Sequence, residues 1–211
     1  SPANFQITRL SAPKVTEDRV IFVKEEGESA YVYVYYIDCK PEDAGYLFYI
    51  AYTLEQILTD QLVVQSNKAR LVRVMMEYIE NYGEVRVRIE PTLGTRQQPK
   101  ALFTLVEGLF MRLYTYNNEA DYQQAVVTSR TAFYLQEKKA DPMDRLSELV
   151  QNYAVFGKNR IFIGSRLLGL YDREKIFAIT EQFMNKGKYL FFFGNFDVVD
   201  APREVDSPLF F

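Results

Sequence analysis

The side chains of this sequence best suited to chemistry fall into two groups. Lys68, Arg70, Arg73, Arg86 and Arg88 lie on two adjacent segments joined by the turn-like stretch "ENYG". Arginine forks match carboxylates, so this group suits a peptide carboxylate, an acidic segment or a neighbouring subunit. The competing expectation is a solvated sheet face, with Glu77, Glu84 and Glu90 as cross-strand partners of the same arginines. Tyr31, Tyr33, Tyr35 and Tyr36 form the second group. Tyrosine combines a large contact area with a polar tip, which makes Tyr33 and Tyr35 candidates for a peptide groove. Strand aromatics are also ordinary packing residues, and then the ladder would lie beneath helices. Cys39, with no activating histidine available, is expected to be a small strand or loop residue rather than a nucleophile.

What is missing narrows the chemistry further. The chain has no histidine. A Ser-His-Asp triad, a Cys-His pair and any His-based zinc site are therefore excluded within it. Carboxylate pairs, a Ser-Lys dyad or an all-oxygen metal site remain open, but no spacing points to any of them. We accordingly expect no catalytic residue, no metal ligand and no cofactor in this chain. A net charge of −3 and a pI near 5.2 argue against a nucleic-acid partner, which would call for a strong basic field. No apolar run approaches the length of a membrane span. The lone cysteine leaves the compartment undetermined. The start Ser-Pro-Ala-Asn, without Met, reads as a processed product or an excised piece.

The elements that must position these groups follow from periodicity. With 211 residues, 48% of them hydrophobic, the chain suits one domain, or at most two small ones. Residues 1–18 read as a leader or linker, 19–196 as the domain and 197–211 as a tail. That tail ends in Leu209, Phe210 and Phe211, which would either fray or dock. "RVIFVKEE" and "SAYVYVYYIDCK" read as two strands around a turn, the second apolar on both faces and hence central. "PEDAGYLFYIAYTLEQILTDQL" is a helix with a Leu47, Ala51, Leu54, Leu58 stripe. Val85, Val87 and Ile89 alternate with Arg86, Arg88 and Glu90, the period of a half-buried strand. Leu71 to Ile79 fits a strand closed by "ENYG", with helix as the alternative because Met and Glu favour it.

The rest reads as helical until the last strand. Asn118 and Asp121 are placed as a capping pair. "DPMDRLSELVQNYAVFG" carries Asp141 as cap and Leu146, Leu149, Val150 and Tyr153 as a buried face. Asp172 caps a final helix with Ile176, Ile179, Phe183 and Met184 at helical spacing, and the apolar run Tyr189 to Phe193 follows between Gly187 and Gly194. The order predicts an α+β domain: an antiparallel sheet with helices packed on one face.

From about Val20 to Gly194 the sequence resembles one half of an insulinase/pitrilysin-family metallopeptidase, by pattern more than by identity. "RVIFVKEEGESAYVYVYYI" is similar to the family's opening hairpin, and "DAGYLFYIAYTLEQIL" to the helix that follows it. "VRVRIEPTLGTRQQPKALFTLVEGLF" resembles the strand and threonine turn leading into a long helix. Ile179, Thr180 and Glu181, then "YLFFFG", resemble the family's closing helix and strand. The resemblance implies a half-domain working beside a second insulinase-like half or subunit. An inverted zinc motif would sit in the active half, with two histidines and a Glu, and extended peptide would be bound between halves. The non-catalytic half of active enzymes often supplies an Arg and a Tyr that orient the substrate. In the comparable stretch "LVVQSNKARLVRV", Ser66 falls near the Arg position and Arg73 near the Tyr. The resemblance thus implies a non-catalytic half lacking both chemical kits, with zinc only in a partner. The competing expectation is a structural or scaffold subunit that keeps the fold without proteolysis.

Overall fold

The structure, a computed structural model, describes residues 12–24, 29–79, 81–95, 99–115, 118–128, 143, 146 and 169–194. Alternation builds its sheet. The strands are β1 (Arg19–Lys24), β2 (Ala30–Asp38), β3 (Ala69–Ile79), β4 (Tyr82–Pro91) and β5 (Tyr189–Gly194). They lie in the order β1-β5-β2-β4-β3. β2 pairs antiparallel with β4 and with β5, and β3 antiparallel with β4. β1 runs parallel to β5. The domain is α+β as expected, but its sheet is mixed rather than wholly antiparallel. β1 and β2 do not pair with each other, because the closing strand is inserted between them. The reason is legible in "YLFFFG": a run apolar on both faces is best placed with a strand on either side. Leu71 to Ile79 is strand, in register with β4 from Leu71 opposite Glu90 to Ile79 opposite Tyr82.

One face of the sheet is covered by helices. Helix α1 (Ala44–Leu58) continues as a π-helical turn over Thr59–Gln65. α2 spans Pro99–Phe110, α3 residues 119–128 and α4 Arg173–Asn185. Leu47, Ala51, Leu54 and Leu58 are all buried. So are Tyr31, Tyr33, Tyr35, Val85, Val87 and Ile89 beneath them. Phe103 of α2 stacks on Tyr33 with ring centroids 6.2 Å apart. Tyr35 packs against Phe110 at 5.3 Å and Phe183 of α4 at 5.1 Å. α1 lies so close to β4 that a Cβ on Gly83 would stand 2.1 Å from Leu47 Cδ2. The caps read from the sequence form: the Asp172 carboxylate accepts from the Lys175 N–H at 3.1 Å, and Asn118 Oδ1 from the Asp121 N–H at 3.0 Å.

Part of the stretch read as a leader is built into the fold. The Val15 carbonyl accepts from the Gly187 N–H at 3.1 Å, and the Asp18 carboxylate from the Lys188 N–H at 3.2 Å. Gly187 is required there, since a Cβ would meet the Glu17 backbone nitrogen at 2.5 Å. Leu146, read as part of a buried face, is 51% exposed. Periodicity marks an apolar stripe without saying whether the domain covers it. Residues 1–11, the Asp141 cap, Leu149, Val150, Tyr153 and the tail from 197 lie outside the described residues.

Candidate functional site

The other face of the sheet carries the candidate site, and it divides in two at the seam between β4 and β2. On one side β3 contributes Arg73, Met75 and Glu77, paired across to Arg88, Arg86 and Glu84 of β4. On the other side the register aligns Val32 and Val34 of β2 with Phe191 and Tyr189 of β5, and Tyr189, Phe191 and Phe193 with Arg19, Ile21 and Val23 of β1. Charge therefore dominates one half of the face, and apolar and aromatic side chains the other, with the exposed Arg19 at its end. No described helix covers either half.

In the charged half the arginines are engaged within the domain. Glu90 is gripped by Arg70 at 2.7 Å and Arg88 at 3.0 Å. The Arg70 hydrogen bond, seconded by Arg88, holds the Glu90 carboxyl below its usual range. Arg86 pairs with Glu84 and stands 4.0 Å from Glu77. Arg73 stands 3.9 Å from Glu55 of α1. Yet the four arginine side chains remain 47–62% exposed. Ion pairs so wet contribute little to stability and exchange partners readily. The sequence brought these arginines together correctly, and their cross-strand glutamates are those expected of a solvated face.

The tyrosines require a correction. Tyr33 and Tyr35 are each 1% exposed and lie on the helix-covered face, so they pack the core and line no groove. The strand alternates, and the helices take the face carrying its bulkiest uninterrupted row. Burial removes their hydroxyls from water and pushes both phenols upward, with Glu107 adding to the effect. Neither hydroxyl has a hydrogen-bond partner among the described residues. Tyr36 is the member of the ladder on the open face; burial, then Glu84, pushes its phenol up to about 12. Cys39 is buried, and desolvation, then Asp43 and Glu42, pushes its thiol up to about 12, far from a reactive thiolate.

The apolar half was only partly legible. Phe191 stacks between Tyr189 and Phe193, each with centroids 6.2 Å away. Tyr36 meets Tyr189 edge-on at 6.2 Å and Tyr82 at 6.1 Å. Phe191, Phe193, Ile21 and Val23 are all half-buried. The signal that marks them is the double-sided apolar character of β5, which burial by helices on one side does not satisfy. Beside this half a cavity of about 450 Å³ opens between Tyr36, Asp38, Lys186 and residues 12–16.

The segment compared with the substrate-orienting stretch holds neither residue of that kit. Ser66 ends the π-helical turn, its N–H donating to the Gln61 carbonyl, while Arg73 stands on β3. The inverted zinc motif does not fit this chain, because histidine is absent; among the described residues no group of three or more Cys, Asp or Glu side chains could hold a metal. Among those residues no helix is long and apolar enough to cross a membrane.

No sequence-family model matches the chain, and no curated protein matches it. Solved structures do. The inactive domain of a peptidase M16 from Pseudomonas fluorescens matches with a TM-score of 0.58 at 11% identity, over 96% of this chain and 48% of that one. Pitrilysin matches at 0.62 and 13% identity, over 91% of this chain and 21% of its own. A chain of complex III2 from Candida albicans, with Inz-5 bound, matches at 0.63 and 12% identity, over 84% and 46%. The chain thus has the fold of an insulinase/pitrilysin half-domain. It spans less than half the length of each of these chains.

Proposed function

We propose that this chain is the non-catalytic half of an insulinase-like metallopeptidase, and that it closes a peptide-binding chamber against a zinc-bearing half. The observation that carries this reading is a division of labour on one sheet face. The apolar half offers Val32, Phe191 and Phe193 for a dry contact with a partner, while the arginine half stays wet and its ion pairs are open to exchange with a peptide's acids. Arg70, Arg73, Arg86 and Arg88 are then the residues that meet peptide carboxylates or the partner's acids. Without histidine the chain depends on its partner for zinc and for the activated water.

The likeness to a complex III2 chain favours a second reading, a scaffold subunit that keeps the fold without proteolysis. One experiment separates the two. The chain is purified from its native source with whatever it holds, and the complex is assayed for zinc and peptide hydrolysis. A partner bearing the inverted zinc motif, with one zinc per pair and hydrolysis lost on separation, is the expected result. A stable complex without zinc and without hydrolysis leaves the scaffold reading in its place. Zinc retained by this chain alone after dialysis overturns both.

A further inference from the structure

Among the described residues β3 ends the sheet, so its outer edge presents main-chain groups with no described strand beside them. In an antiparallel pair the N–H groups of alternate residues point outward, and on β3 these belong to the register positions of Val72, Val74 and Met76. One of them is occupied by a side chain from another element. The Val74 N–H donates to Glu55 Oε2 of α1 at 2.6 Å. The other oxygen of that carboxylate faces Arg73 Nη1 at 3.9 Å. Glu55 thus supplies to β3 what an incoming strand would supply: a carbonyl-like acceptor for the main chain, and a negative charge for the arginine next to it.

We propose that Glu55 holds the outer edge of β3 shut, and that the edge opens to an extended peptide carrying an acidic residue opposite Arg73. This deepens the peptide-binding reading above and rests on it. The peptide's main-chain carbonyl replaces Glu55 at Val74, and its carboxylate replaces Glu55 at Arg73. The charge complementarity is specific. Displacing Glu55 leaves Arg73, 62% exposed, without the carboxylate it now faces, and a neutral or basic strand does not restore one. The exchange needs no rearrangement of the core, because the Glu55 side chain is already 25% exposed and sits at the rim of α1. At 11 residues β3 is a long edge strand, and an inward-reaching charge is one way sheet proteins keep such an edge from uncontrolled pairing.

The test uses the full chain and a blocked synthetic peptide, acetyl-Thr-Val-Glu-Val-Thr-Val-amide, with a Lys-for-Glu version as control. Binding is followed by titration and located by amide hydrogen exchange. Glu55→Ala should bind the acidic peptide at least tenfold more tightly than the unaltered chain, with new protection centred on Val72, Val74 and Met76. The Lys peptide should gain no such advantage. If Glu55→Ala keeps its fold and binds no better, or is protected elsewhere, the proposal falls. Should Glu55→Ala not fold, Arg73→Ala in the otherwise unaltered chain decides: loss of preference for the acidic peptide upholds the proposal, and an unchanged preference overturns it. Neither outcome bears on whether a zinc-bearing partner is captured, so the two readings fail separately.

Discussion

β2 and β4 each show two faces, and the contrast between them explains most of this molecule. On the helix-covered face Tyr31, Tyr33, Tyr35, Val85, Val87 and Ile89 are buried against α1, α2 and α4. On the open face, one residue along, the same strands show Val32, Arg86 and Arg88, with Val34 buried among its neighbours. The covered face is complete in itself: rings are packed and the core is continuous. The open face is not, since half of it is aromatic and has no described cover. The difference teaches that a half-domain of this fold stabilises itself through one face and is left to interact through the other.

That contrast can be broken by mutation, and the covered face should respond most. Leu54→Ala, at a fully buried position of α1, should cost about 2–5 kcal/mol in chemical denaturation, because the cavity cannot be filled from solvent. A cost under 1 kcal/mol would mean that α1 is not core.

On the open face Phe191→Ser should leave the isolated chain folded yet weaken capture of its partner half by tenfold or more, about 1.4 kcal/mol. An unchanged complex on native mass spectrometry would move the interface elsewhere.

A hydroxyl deletion sharpens the comparison on the covered side. Tyr35→Phe removes a buried hydroxyl without a partner among the described residues and should be neutral or stabilising by up to about 1 kcal/mol. A clear loss of melting temperature would reveal a bonded water beneath α2.

The smallest effect belongs to the charged half. Glu90 titrates below its usual range in the folded chain, so its contribution is present above the unfolded value and fades as pH falls through the folded one. Glu90→Gln should therefore flatten the acid limb of stability by no more than about 1 kcal/mol, since its arginine partners are half exposed. Acid-titration midpoints of the two proteins compare it directly.

Local sequence was sufficient for much of the fold. Strict alternation at Val85 to Glu90, the helical stripe from Leu47 to Leu58 and the Asp172 cap are governed by neighbours within one turn or one pleat, and each appears where periodicity put it. The arginine cluster was legible for the same reason: two strands joined by a tight turn must lie side by side. The tyrosine ladder was not. Alternation puts Tyr33 and Tyr35 on the face opposite Tyr36, but both faces of β2 are apolar, so polarity did not say which of them the helices would cover. Nor could it reveal the Glu55 contact, which joins a helix to a strand edge through a carboxylate unremarkable in its own segment.

The sequence by itself therefore determined the elements, the α+β class and the absence of any histidine chemistry, because these depend on residue type and short-range spacing. Only the tertiary structure decided the insertion of β5 between β1 and β2, the face on which the helices lie, and the edge that Glu55 guards. Those are matters of which distant surfaces meet, and a chain with apolar residues on both faces of its central strands satisfies local rules equally well either way.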